Sequence, residues 1–358
     1  AQDGISDMYG RLPSPIAVLT LDQNPDTGKL SLVKYHNVDT SSAHGLWITC
    51  GASLSPWGTH LSSEEYEPDA FTAASSSQFK AFSQNLFGSE TAANPYHYGH
   101  LPEVTVKADG TASIRKHYCL GRISHELVQV MPDERTTLMG DDATNGGVFV
   151  ADKARDLSSG TLYAAKVGAG FSVNPAGPAA TLTWIPLGSA TSAQIEALAG
   201  STAPSDIFDL ASKDPSDASF RKTISNGRTE WLRLKPGMEK AAAFLETHRY
   251  AAYVGASMGF SKMEGTTVNV RDKVAYSALQ NVQDSMVKGG KGHTDGNGIA
   301  LDQALKAGAV MATLQRIAWV DQLEKFRPCD WVIEAIVEDL AVKKELFSRL
   351  EKVVNPSC

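Results

Sequence analysis

The chain has 358 residues, 42% hydrophobic and 20% charged, with a formal net charge of −7. That length can bury a sizeable core, as two ordinary domains or as one large repeat-built β fold. No apolar run approaches the roughly 20 residues of a membrane-spanning helix. Acidity without a concentrated basic patch argues against nucleic acid as a partner. Cys50, Cys119, Cys329 and Cys358 show neither CxxC pairing nor zinc-type spacing, which disfavours a disulfide framework. The start at Ala1-Gln2-Asp3, without an initiator Met or a signal segment, reads as a processed or trimmed chain.

In chain order, residues 15–22 (PIAVLTLD) and 30–36 (LSLVKYH) are β-type runs joined by the turn residues 24–28, a hairpin signature. A second hairpin is expected on 46–51 and 57–63. Residues 70–100 read as an excursion from the sheet, with an amphipathic helical piece at 78–87. A strand–DG–strand hairpin occupies 103–118. Further short strands are expected at 127–131, 135–139, 147–151, 161–166 and 181–186. This spacing favours an all-β sandwich, barrel or propeller over a βαβ fold. An inserted helical region covers roughly 191–257, with helices at 192–199, 205–212 and 238–257. Strands resume at 266–270 and 274–279. The Gly-rich segment 280–300 lacks P-loop spacing. Near the end, Trp331–Val337 is a continuous apolar strand, and Asp339 caps a helix with Leu340, Phe347, Leu350 and Val354 on one face.

Five stretches could carry chemistry. Cys50 to Asp69 (CGASLSPWGTHLSSEEYEPD) sets one thiol beside Glu64, Glu65, Glu67 and Asp69. A bound cation would offset their repulsion, and a solvated acidic turn is the plainer reading. In Gly121-Arg122-Ile123-Ser124-His125-Glu126, a strand would send His125 and Glu126 to opposite faces. A surface hydrogen-bond cluster is the alternative there. Asp141 and Asp142 lie in a Gly-punctuated acidic turn of the kind hard cations accept, without EF-hand spacing. Lys166 closes a strand and is ordinarily solvated. Lys262-Met263-Glu264-Gly265 pairs a cation that could contact phosphate with a possible ligand.

Taken in order, CxxxxxPWGTxLxxEE, GRxSHE, the GDD turn, GTLYAAK and KMEG resemble the PhoX-type alkaline phosphatases over roughly residues 10–310. The resemblance implies a mainly β chain, a β-propeller that is six-bladed in the family, here with the helical insertion. It implies an iron and calcium centre acting on small phosphorylated substrates, in a periplasmic or extracellular setting. By matching motifs, Cys50, Glu64 or Glu65, Glu126, Asp141, Asp142 and Glu264 are the implied metal ligands. Lys262 and Arg122 are the implied cations for phosphate. The late motif departs from the family's arginine–proline–glutamate, and the family's first and closing blade segments are not evident. A non-catalytic, calcium-binding propeller serving surface attachment or assembly is the second reading. The domain division expected is 1–315 and a tail, 316–358. Residues 316–356 resemble part of the NAD-binding domain of 3-hydroxyacyl-CoA dehydrogenases, but no GxGxxG opening is present, so NAD binding is not expected.

Overall fold

Asn24 starts the chain's first reversal. Its side-chain oxygen accepts from the backbone N–H of Asp26 and Thr27 at 3.0 and 2.9 Å, an Asx turn. Gly28 follows at φ +70°, which glycine adopts at no steric cost. The joined strands, β1 (Ala17–Gln23) and β2 (Leu30–Asn37), pair antiparallel as the sequence predicts. The computed structural model describes residues 8–153, 157–171, 180–272, 274–313 and 340–352.

The next sheet runs β3 (Thr49–Leu54), β4 (His60–Glu64), β5 (Leu101–Val106) and β6 (Ala112–His117), in that order and antiparallel. Strand β3 begins three residues later than expected. Leu46, Trp47 and Ile48 are buried, but Ile48 sits at φ +29°, which no strand adopts. Trp47 instead packs edge-on against Phe82 of helix α1 (Ser77–Phe87). The Ser76 hydroxyl accepts from Phe79 N–H and left-handed Gly88 ends the helix.

A five-stranded sheet follows. It is built from β7 (His125–Val130), β8 (Thr136–Asp141), β10 (Phe149–Lys153), β11 (Ser159–Val167) and β12 (Leu182–Thr191), while β9 (Thr144–Gly146) leaves it. Its spatial order is β12–β11–β10–β8–β7. The insertion then holds α2 (Ser192–Ser201), α3 (Pro204–Ile207), β13 (Phe208–Ala211), β14 (Arg221–Ser225), β15 (Arg228–Leu234), α4 (Glu239–Leu245) and α5 (Thr247–Tyr253). The helix expected at 205–212 is therefore one turn followed by a strand. Phe208 pairs with Leu234 and Leu210 with Leu232, and such distant partners override local helix propensity. Strand β16 (Phe260–Ser261) pairs back with β9, and β17 (Met263–Asn269), β18 (Val274–Leu279) and β19 (Ala309–Thr313) form the last sheet. Helix α6 covers Leu340–Leu350. The strand expected at 331–337, the cap at Asp339 and the contact of Val354 lie outside the described residues. The protein is mainly β, and among the described residues the six sheets do not close into a barrel.

The largest core unites Leu101, Phe149 and Leu162 of the strands with Ile195, Phe244 and Ala251 of the insertion. The insertion thus shares its apolar interior with the sheets rather than folding beside them. Electrostatics reinforces the join. Buried Arg249 of α5 meets Glu230 in two bonds of 2.8 and 2.9 Å, Glu246 at 2.7 Å and Asp69 at 2.9 Å. Removing this cation would strand three carboxylates in a low-dielectric interior. Arg249→Met is accordingly expected to cost about 3–5 kcal/mol, measurable as a lower urea midpoint at unchanged slope.

Candidate metal centre

Two glycines allow the strands bearing the acidic side chains to touch. A Cβ on Gly51 would stand 2.5 Å from the Leu127 nitrogen and 2.7 Å from the Glu126 carbonyl carbon. One on Gly140 would stand 2.7 Å from the Glu264 carbonyl oxygen and 3.1 Å from Glu126 Cβ. Both separations are closer than side chains tolerate, so β3, β7, β8 and β17 converge only because these positions are bare. A register shift between His125 and Val128 further re-aims the start of β7.

The convergence brings five of the expected ligands together. Cys50, Glu65 and Glu126 place ligand atoms within 4.8 Å of one another, as do Glu126, Asp142 and Glu264. Glu126 belongs to both groups. Cys50 is exposed, Glu264 half-buried and the other three buried. Burial, then the carboxylates of Asp142 and Glu126, push Glu65 up to about 9. Burial also raises Glu126, to about 7, with Asp142 adding to it. Although the residue is exposed overall, partial desolvation of the Cys50 thiol pushes it up, and Glu126 and Glu65 add to the shift. The cluster therefore resists carrying the negative charge its groups would hold in water. Asp142 Oδ2 accepts Tyr66 Oη–H and Lys262 Nζ–H, both at 2.6 Å, while its buried Oδ1 has no hydrogen-bond partner. An orphaned carboxylate oxygen among hard oxygen donors and one thiol fits cations such as calcium and iron.

Tyr66 and Lys262 frame the opening. Both have left-handed backbones, at φ +48° and +54°, and such strain persists only where the surroundings enforce it. Tyr66 is fixed by its N–H to Ser124 Oγ at 2.8 Å and by Trp47 Nε1–H to its carbonyl at 2.9 Å. Lys262 Nζ donates to the Tyr66 hydroxyl at 2.9 Å.

Three expected site residues fall elsewhere. Glu64 accepts Trp47 N–H at 2.9 Å on one oxygen, which also meets Lys116 Nζ at 2.8 Å. Its other oxygen takes the N–H groups of Gly99 and His100 at 3.0 and 3.1 Å. Both oxygens are committed to fixing the loop before β5, so Glu65 and not Glu64 joins the cluster. Asp141 points away from Asp142, as neighbours on a strand do, and meets His248 Nε2 at 2.9 Å. Arg122 is buried and donates to the carbonyls of Tyr98, Leu245 and Pro68, which makes it a strut between loops and not a phosphate contact. Lys262 is the cation brought to the cluster. Sequence reasoning passed over Tyr66 and His248. Tyr66 sits directly after the paired glutamates, but nothing local signals its left-handed backbone, and His248 lies in an unremarkable helical run.

A mainly β protein thus gathers a thiol and four carboxylates where sheets meet, the donor set of a candidate metal site. The sequence model of the family described as alkaline phosphatase PhoX matches residues 21–304, and the chain belongs to that family. A second model, the NAD binding domain of 3-hydroxyacyl-CoA dehydrogenase, matches residues 254–358. That match begins well before 316 and overlaps the first over 254–304. Among solved structures, Pseudomonas fluorescens PhoX in complex with vanadate, a transition state analogue, is similar at 21% identity with a TM-score of 0.47. The match covers 84% of this chain and 49% of that one, so the chain spans about half the length of that relative. No curated protein matches it.

Two outcomes follow from the geometry. Glu65 and Glu126 hold protons in the metal-free folded protein that the unfolded chain releases near its ordinary carboxylate range. Stability of the metal-free protein should therefore fall as pH rises from about 5 through 7 to 9, read as a declining melting temperature in chelator. Gly140→Ala should cost about 1–3 kcal/mol by overpacking, measured by urea unfolding of the same metal-free protein.

Proposed function

We propose that this chain carries the metal centre of a PhoX-type phosphatase that hydrolyses small phosphate monoesters outside the cytoplasm. In this reading its sheets are blades of a propeller that further sequence in longer family members completes. The observation that carries it is Glu126, shared by two ligand groups whose other members are Cys50 and Glu65 on one side and Asp142 and Glu264 on the other. The thiol and carboxylate set supports iron on the Cys50 side, and the all-carboxylate set supports calcium on the other. Bound cations would offset the charge on phosphate oxygens and lower the pKa of a coordinated water.

The chain's own groups bind and orient. Lys262, its side chain 23% exposed, holds a proton donor at the edge of the cluster. From there an ammonium attracts non-reacting phosphate oxygens. Tyr66 steers that ammonium by accepting from it while donating to Asp142. Burial of Glu65, Glu126 and Asp142 limits water around the reacting groups and strengthens each charge interaction there.

A calcium-binding, non-catalytic role is the second reading. Burial of Arg122 under backbone carbonyls favours it, because Lys262 lacks the planar fork with which arginine grips phosphate. In that case calcium raises the melting temperature while inorganic phosphate and vanadate leave it unchanged. In the phosphatase reading, Cys50→Ala loses iron by elemental analysis. It also loses phosphomonoesterase activity by more than the roughly 100-fold typical of removing an outer-shell partner. Unchanged iron content and activity in Cys50→Ala would remove the thiol from the centre.

A further inference from the structure

His248, on α5 of the insertion, is buried behind the metal centre without touching it. Its Nδ1 meets Glu67 Oε1 at 2.9 Å and its Nε2 meets both oxygens of Asp141 at 2.9 Å. Burial alone would lower the ring's proton affinity, but Asp141 and Glu67 outweigh it and raise it to about 10. Each ring nitrogen thus faces a carboxylate, the arrangement in which an imidazole offers N–H donors on both edges.

The two acceptors sit at informative places. Glu67 is two residues beyond Glu65, and Asp141 directly precedes Asp142. Each is itself immobilised. Asn226 Nδ2–H reaches Glu67 Oε1 at 2.9 Å, and a Cβ on Gly99 would come within 2.4 Å of Glu67 Cβ. Gly147 N–H reaches Asp141 Oδ2 at 2.8 Å, and a Cβ on Gly146 would meet that oxygen at 2.8 Å. The imidazole is a rigid spacer with donors on opposite edges, which a flexible lysine cannot imitate. Phe149 closes the ring from the side, edge-on at 6.2 Å between centroids.

We propose that His248 is a positioning residue for the metal centre: by spanning Glu67 and Asp141 it sets the separation of Glu65 from Asp142 and thereby the site's affinity for metal. The inference depends on the metal centre proposed above. Outer-shell partners of ligating groups commonly govern affinity in this way. Here the control acts through the backbone of two ligand-bearing segments, one from the β4 end and one from the β8 end.

The test is Co²⁺ binding to chelator-treated protein, followed by equilibrium dialysis and by the thiolate-to-cobalt absorption that Cys50 would give. His248→Gln, which keeps a single side-chain amide donor, is expected to bind Co²⁺ about 10- to 100-fold more weakly with a shifted absorption. Glu67→Gln retains an acceptor and removes the charge, and it should move both readouts in the same direction if His248→Gln fails to fold. Phe244→Leu, a core change in neighbouring α4, serves as the stability control. It should lower the metal-free melting temperature while keeping wild-type affinity and spectrum. Wild-type affinity and absorption in His248→Gln and Glu67→Gln would overturn the inference and leave the metal centre standing. Failure of the wild-type protein to bind Co²⁺ would overturn the metal centre and the inference with it.

Discussion

The structure depends on an unfavourable concentration of negative charge. Glu65, Glu126, Asp142 and Glu264 converge with Cys50 where separate sheets meet, and three of those carboxylates are buried. Coulomb repulsion between buried charges is only weakly screened, so such a cluster would be selected against as a packing element. Its raised proton affinities express that cost directly. A bound cation would offset the cost, and for that reason the cluster is read as a candidate site and not as a scaffold.

The surrounding protein is arranged around that charge. Lys262 bonds Asp142 from the front, and His248 stands behind with a carboxylate on each edge. Further back, Arg249 ties Asp69 to Glu230 and Glu246. Glu64, Glu67 and Asp69 are thus answered by Lys116, His248 and Arg249 in turn, while Glu65 turns to the cluster. Two of those cations, His248 and Arg249, are neighbours on one helix of the insertion. The insertion therefore does more than cover the sheets. It supplies the counter-charges that let an acidic strand end be buried. Family membership, shown by the alkaline phosphatase PhoX model over residues 21–304, is the chemical context in which the proposed metal centre is read.

Much of the fold was legible. The hairpins at Asn24–Gly28 and Asp109-Gly110 follow from turn chemistry, and the helical piece expected at 78–87 is α1. The five strands expected between 127 and 186 appear within a few residues of their predicted places. Strand β13 was missed because its partner β15 lies some twenty residues away. Ile48 delays the start of an expected strand because a left-handed backbone is a product of tertiary packing, not of an isoleucine's own preference. At the site, the residue types were visible and their allegiance was not. Glu64 and Glu65 are indistinguishable as letters, as are Asp141 and Asp142.

The sequence by itself determined which chemistry was present: a thiol, paired acidic residues and a late lysine–glutamate motif, in an order that resembles one family. Composition and turn signals also determined a mainly β chain. Only the tertiary structure decided which carboxylate of each pair joins the cluster, because Glu64 and Asp141 are claimed by partners distant in sequence while Glu65 and Asp142, just past the strand ends, meet Glu126. It also decided that Arg122 is a strut, since the backbone carbonyls of Tyr98, Pro68 and, from the end of α4, Leu245 accept from its guanidinium. The placement of His248 was tertiary as well. A bridge between positions 67 and 141 from residue 248 exists only after α5 has packed against the sheets, and no local pattern encodes a distance of that kind.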